Sequence, residues 1–70
     1  MSFENHRLER IQRIIELLQA NPQGLKPEII AKETKILREV TKQRFFLYLQ
    51  ELQWSGEIVI LRDGRVKLRK

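Results

Sequence analysis

One stretch near the middle of the chain, residues 40–56, constrains the fold more than any other. Its apolar residues at helical spacing share one face of a helix: Phe45, Leu49 and Leu52. Thr41 shares this face and is also a suitable N-cap, because its hydroxyl can accept from a backbone N–H of the first turn. Gly56 is a natural helix terminator, and a β-type run begins at Ile58. The stretch therefore predicts a long helix followed directly by a strand.

Two further helices are predicted ahead of this one, over residues 4–20 and 27–35. The apolar stripe of the first consists of Leu8, Ile11, Ile15 and Leu18, which Ile14 and Leu17 widen. The third helix begins either at Thr41, after a stretched turn, or near Arg38. We assign residues 38–55 to it.

The element order and the segments LKPEIIAKETKI and YLQELQWSGEI resemble the winged helix-turn-helix superfamily over almost the whole chain. The most specific part is the pattern L-x-x-L-x-x-x-G-x-I from Leu49, which in that superfamily ends the recognition helix and starts the wing. The resemblance implies a mostly α fold with a C-terminal β-hairpin, in the order α-(β)-α-α-β-β, with Leu25 as the short extra strand. Lys35 departs from the pattern, since it stands where glycine commonly makes the turn.

A hairpin is predicted over residues 58–69, because Asp63-Gly64 is a strong turn signal. A two-residue type I′ loop would put one set of side chains on the inner face: Val59, Leu61, Val66 and Leu68. A type I turn with a bulge at Gly64 would instead group Ile58, Ile60, Val66 and Leu68. We favour the bulged register, because the winged-helix resemblance implies that Ile58 points into the core.

Composition indicates one globular domain, residues 1–70, with 41% apolar and 33% charged residues. The absence of cysteine excludes disulfides and thiolate metal sites. The N-terminus is too polar for a signal peptide, and no apolar run approaches the roughly 20 residues that span a bilayer. We therefore expect a cytoplasmic protein without membrane contact.

The net charge of +5 is concentrated in residues 58–70, which contain several lysines and arginines and a single acidic residue, Asp63. A local cationic element is expected of a wing that contacts phosphates. The same charges would also protect an exposed strand edge from pairing with other chains, and charge alone does not decide between these roles.

Catalytic chemistry is not indicated. His6 is the only histidine and lies in the first helical turn, where we interpret it as a surface residue. No metal-ligand spacing, phosphate-binding glycine loop or nucleophile motif is present, so we predict no enzyme activity, cofactor or small-molecule ligand. Arg7, Arg10 and Arg13 could contact phosphate, but arginines at this spacing more often form a solvated face, which is the role that we assign. Glu28, Glu33 and Glu39 have no metal-ligand spacing, and we interpret them as helix-dipole and solubility charges.

DNA binding is the first functional hypothesis. Donors suited to base edges and phosphates begin the third helix, further cations precede it, and others lie on the wing. The residues predicted to contact DNA are Lys35, Arg38, Lys42, Gln43, Arg44, Arg62, Arg65 and Lys67. The protein would be a small transcription regulator, working as a homodimer, that contacts duplex DNA through helix three and a basic wing.

A second stripe on the third helix supports a different hypothesis. Val40, Leu47 and Trp54 recur every seven residues, nearly opposite the core-facing side. One interpretation packs Val40 on the turn and Trp54 on the wing, which leaves only Leu47 exposed. The other makes this stripe a protein contact, so that the chain is a protein-interaction winged helix or an assembly subunit.

Overall fold

The computed structural model describes the backbone of residues 3–69 and the side chains of residues 6–69. The elements follow in the order α1 (Phe3–Gln19), α2 (Pro27–Thr34), a 3₁₀ turn (Ile36–Arg38), α3 (Lys42–Trp54), β1 (Ile58–Ile60) and β2 (Val66–Leu68). The prediction of a mostly helical chain with a C-terminal antiparallel hairpin is confirmed. Within residues 3–69, no helix combines the length and the apolar character that crossing a bilayer requires.

A single apolar core draws on every element. Its buried side chains are Ile14, Leu18, Ile30, Ala31, Ile36, Phe45, Tyr48, Leu49, Leu52, Ile58 and Val66. The core face of α3 is the predicted one, but the stripe of α1 is rotated, and Leu8 is exposed instead of packed. The reason is that the first turns of α1 meet α3 through polar groups: Arg7 bonds Glu51, and Arg10 donates to the Tyr48 hydroxyl.

The third helix begins at Lys42, so the predicted start at Arg38 is wrong. Lys35 ends α2 in the left-handed conformation, with φ 57° and ψ 24°, and the chain then forms the 3₁₀ turn, which buries Ile36 in the core. Thr41 caps α3, since its hydroxyl accepts from the backbone N–H of Arg44 at 3.1 Å. This turn lies between α2 and α3 and places Ile36 in the core before the new helix starts.

The hairpin adopts the bulged register, but Ile60, which we predicted on its inner face, is 47% exposed. Ile58 pairs with Leu68 and Ile60 with Val66, while Gly64 closes the turn at φ 94°. On the other side of β2, Val66 exchanges two backbone hydrogen bonds with Leu25, at 2.7 and 2.9 Å. The single bridge at Leu25 therefore ties the α1–α2 loop to the sheet and fixes where the hairpin lies relative to the helices.

Candidate functional site

A groove of about 730 Å³ runs between α2, the 3₁₀ turn and the start of α3, and we call it the α2–α3 groove. Its apolar lining residues are Pro27, Ala31, Leu37, Phe45 and Phe46. Its cationic lining residues are Lys32, Lys35, Arg38 and Lys42. Glu28 and Glu33 also line it, so the groove carries four positive charges against two negative ones.

The left-handed turn brings the cations of this groove together. Lys35 is the residue that reverses the chain, Arg38 ends the 3₁₀ turn, and Lys42 is the first residue of α3. All three are exposed, and none forms an ion pair with a side chain of residues 6–69. Their ammonium and guanidinium groups are therefore available to an anionic ligand.

The other predicted DNA-contacting residues on the helices lie outside this groove. Gln43 is exposed on the outward side of α3. Arg44 borders a separate cleft with His6, Val40, Tyr48, and the charged pair Arg10 and Glu39. The start of α3 therefore divides its donors between two surfaces, with Lys42 on one and Arg44 on the other.

The basic residues of the hairpin are also dispersed. Arg62 is exposed at the turn. Arg65 is engaged within the chain, because its guanidinium donates to Asp63 at 2.7 Å and to the carbonyl of Gln23 at 3.0 Å. The backbone N–H of Arg65, together with this guanidinium, lowers the pKa of Asp63. Lys67 is half-buried and lines a third cleft beside the end of α1.

An ion-pair cluster between α1 and the segment before α3 was not predicted. Arg13 donates to the Glu39 carboxylate at 2.7 Å and Arg10 donates to it at 3.1 Å, so Glu39 is no mere solubility charge. These hydrogen bonds, first from Arg13 and then from Arg10, lower the pKa of Glu39 to about 2. No local pattern signals the cluster, since the partners are 26 and 29 residues apart. The cluster attaches the segment just ahead of α3 to α1.

The second stripe of α3 is only partly exposed. Val40 packs against the core, whereas Leu47 is 42% exposed and Trp54 is 75% exposed. The interpretation that folded Trp54 onto the hairpin is therefore wrong. Phe46 is also 45% exposed and lines the α2–α3 groove beside Phe45, and the centres of the two rings lie 5.4 Å apart.

Two kinds of surface thus meet on α3: a cationic groove at its first turn and an uncharged, partly apolar side beyond it. Comparison with protein families, with curated proteins and with solved structures gives no match for this chain. The side chains on these two surfaces are therefore what supports a function.

Proposed function

We propose that this chain is a small DNA-binding protein of the winged helix-turn-helix type, a transcription regulator, that contacts duplex DNA through the α2–α3 groove and the exposed start of α3. The observation that carries the proposal is the convergence of Lys32, Lys35, Arg38 and Lys42 on one groove. Lysine and arginine at the turn of such a motif contact phosphates and fix its position on the duplex.

The first turn of α3 adds to this cationic surface. The Thr41 hydroxyl accepts from the backbone N–H of Arg44, while the backbone N–H groups of Lys42 and Gln43 lie at the positive end of the helix dipole, which favours a phosphate. Gln43 is exposed in the same turn, and its amide is suited to the donor and acceptor pair of an adenine edge. Leu47, one turn further on, offers no hydrogen bond. We therefore expect binding dominated by phosphates, with little sequence discrimination.

The salt dependence of binding follows from the number of cations involved. Four groove residues and Arg62 would neutralise about five phosphates, which predicts a slope of roughly −4 to −5 for log K against log salt concentration. Fluorescence anisotropy of a labelled random duplex, titrated at several salt concentrations, measures this slope directly.

Substitution of two groove cations tests the groove itself. Arg38→Ala and Lys42→Ala are each expected to lower the affinity several-fold at low salt and to reduce the magnitude of the slope by about one. Arg69→Ala removes the same charge from the cleft beside α1 and is the matched control, with an affinity expected within about twofold of the parent. An unchanged affinity in the Arg38→Ala, Lys42→Ala double variant would rule out the groove as the DNA-contacting surface.

A second candidate function is that of a protein-interaction domain or assembly subunit. The observation that favours it is the exposure of Trp54, at 75%, on the same side of α3 as Leu47. Aromatic residues that are exposed beside other apolar groups are typical anchors of protein contacts. Truncation of Trp54 is then expected to abolish association while the helical circular dichroism spectrum is retained.

A further inference from the structure

The outward side of α3 is an uninterrupted uncharged surface, which we call the outer face. It consists of Gln43, Leu47, Gln50 and Trp54, at spacings of four, three and four residues, all of them exposed. Phe46 and Gln53 flank it on one side. Arg44 and Glu51 flank it on the other side. In an α-helix this spacing places the four central side chains in one row along the axis.

Duplex DNA fits the outer face poorly. Apart from the amides of Gln43 and Gln50, the row has no group suited to DNA and no cation, and the 75% exposed ring of Trp54 lies at the end of α3 away from the α2–α3 groove. A polyanion gains little from such a surface, because affinity for DNA comes mainly from neutralised phosphates. A protein helix with a similar uncharged row would cover Leu47 and Trp54 without desolvating a charge.

The charges on the flank favour a particular partner. Arg44 and Glu51 lie seven residues apart, two helical turns, on the same side of the outer face. When two copies of a helix pack antiparallel about a twofold axis, an early residue of one meets a late residue of the other. Arg44 would then face Glu51 of the second copy, and the symmetry makes this ion pair twice. On the opposite flank the same arrangement sets Phe46 against Gln53, again twice.

Glu51 can take part although it already bonds Arg7 within the chain. Its side chain remains 44% exposed, and a carboxylate has lone pairs for more than one donor. Among the side chains of residues 6–69, Arg44 forms no ion pair. A second copy therefore supplies Arg44 with a counter-charge while leaving the Arg7–Glu51 bond in place.

We infer that the outer face of α3 binds a second copy of this chain, as an antiparallel helix pair with Leu47 at its centre, Trp54 at each end and Arg44–Glu51 pairs along one edge. This inference rests on the second candidate function and names its partner. A contact confined to one helix of 13 residues, about 20 Å long, falls at the small end of specific interfaces. The dimer is accordingly reversible, and its population depends on concentration.

Sedimentation equilibrium from about 1 µM to about 1 mM tests the dimer, with the emission of Trp54 recorded on the same samples. We expect a monomer–dimer equilibrium and a blue shift of the emission as the dimer forms, because the ring leaves water. Leu47→Glu and Trp54→Ala are each expected to weaken the dimer at least tenfold. Leu8→Glu adds a charge at a comparably exposed position on α1 and is the control, with an unchanged dimer.

Charge exchange tests the antiparallel arrangement. Arg44→Glu places two acidic residues against each other in the homodimer, and Glu51→Arg places two basic ones, so each variant alone is expected to dimerise more weakly. Mixing the two variants restores both ion pairs, so the mixture is expected to dimerise as well as the parent. A mixture that stays as weak as its components would overturn the arrangement, because each variant is then deficient for another reason, such as loss of the Arg7–Glu51 bond.

The proposal is also overturned if the protein is monomeric at every concentration and the emission of Trp54 shifts only when duplex DNA is added, since that assigns the outer face to DNA. The anisotropy titration shows separately whether the α2–α3 groove binds DNA. If the protein shows no salt-dependent affinity for DNA but forms a dimer that Leu47→Glu disrupts, DNA binding is ruled out. The contact between two copies through the outer face is then still supported.

Discussion

Lys35 is the one residue other than glycine with a positive φ among residues 3–69. At φ 57° and ψ 24° its Cβ crowds the following carbonyl, a conformation that costs an L-residue roughly 1–2 kcal/mol and glycine nothing. Lysine at this position therefore sacrifices stability and adds a cation to the α2–α3 groove. Such a local penalty supports the DNA-contacting role that we propose for Lys35.

Replacement of Lys35 by glycine is expected to stabilise the protein. Glycine removes the left-handed strain but has a larger conformational entropy in the unfolded chain. The free energy of unfolding should therefore rise by about 0.5–1 kcal/mol. Urea unfolding measures this change. The comparison variant is Lys32→Gly, which removes a neighbouring groove cation from inside α2 and is expected to destabilise the protein by about 1 kcal/mol, because glycine is unfavourable within a helix. Both variants should bind DNA more weakly. A destabilised Lys35→Gly protein would mean that the lysine side chain itself supports the turn.

Gly24 is required for a different reason, namely the close approach of two backbones. Its φ is 93°, and a Cβ at this position would lie 2.9 Å from the carbonyl oxygen of Val66. Gly64 has nearly the same φ of 94°, but a Cβ there would meet nothing within 4 Å. The two glycines thus share the conformational requirement and differ in the space available.

Alanine substitutions at these two glycines are expected to separate the two effects. Each incurs the strain of an L-residue in this region, roughly 1–3 kcal/mol, and only Gly24→Ala adds the clash with the last strand. Thermal unfolding should therefore show the larger loss for Gly24→Ala. Equal losses would indicate that the loop moves aside at no cost.

At the scale of elements, the Glu39 cluster attaches α1 to the turn ahead of α3. The pKa of Glu39 is lowered from 4.5 to about 2 by its bonds with Arg13 and Arg10. Since the folded pKa lies below the unfolded one, the stabilisation is fully present above about pH 4.5 and is lost as the pH falls towards 2. The carboxylate is 37% exposed, so solvent screening limits the contribution to about 0.5–1 kcal/mol.

The acid sensitivity of Glu39→Gln tests this attachment. We expect the variant to be less stable at pH 7 and to approach the parent in stability as the pH falls to about 2, because most of the stabilisation by the Glu39 carboxylate is then lost. Urea midpoints measured across this range give the difference. Glu16→Gln is the control, because among the side chains of residues 6–69 the Glu16 carboxylate bonds only Gln12. A difference between parent and Glu39→Gln that stays constant with pH would contradict the ionic origin.

The elements were predictable from sequence where periodicity and turn chemistry agree. Phe45, Leu49 and Leu52 identify the buried face of α3, and Asp63-Gly64 together with an inward Ile58 identifies the hairpin register. The sequence left the start of α3 between Thr41 and Arg38, because a lysine in the left-handed conformation gives no signal of the turn that makes Thr41 the N-cap. The rotation of α1 was missed because the partners of its arginines are distant in sequence.

At the scale of the whole molecule, the distribution of charge along the chain does not give its distribution in space. Residues 58–70 hold most of the excess positive charge, which predicted a basic wing. In the structure Arg65 forms an ion pair with Asp63, and Lys67 is half-buried beside α1. The cations that converge come from α2, the turn and α3 instead. A count of charges cannot show which side chains are already paired.

The bridge between Leu25 and Val66 has a consequence for how the molecule forms. It joins the loop after the first helix to the last strand, so residues from the two halves of the chain meet beside the same small sheet. Such distant pairings are expected late in folding, because most of the chain has to be ordered before they repay the entropy of closing the loop. We therefore expect folding to be cooperative, with the amide protons of Leu25 and Val66 exchanging with solvent only when the whole domain opens.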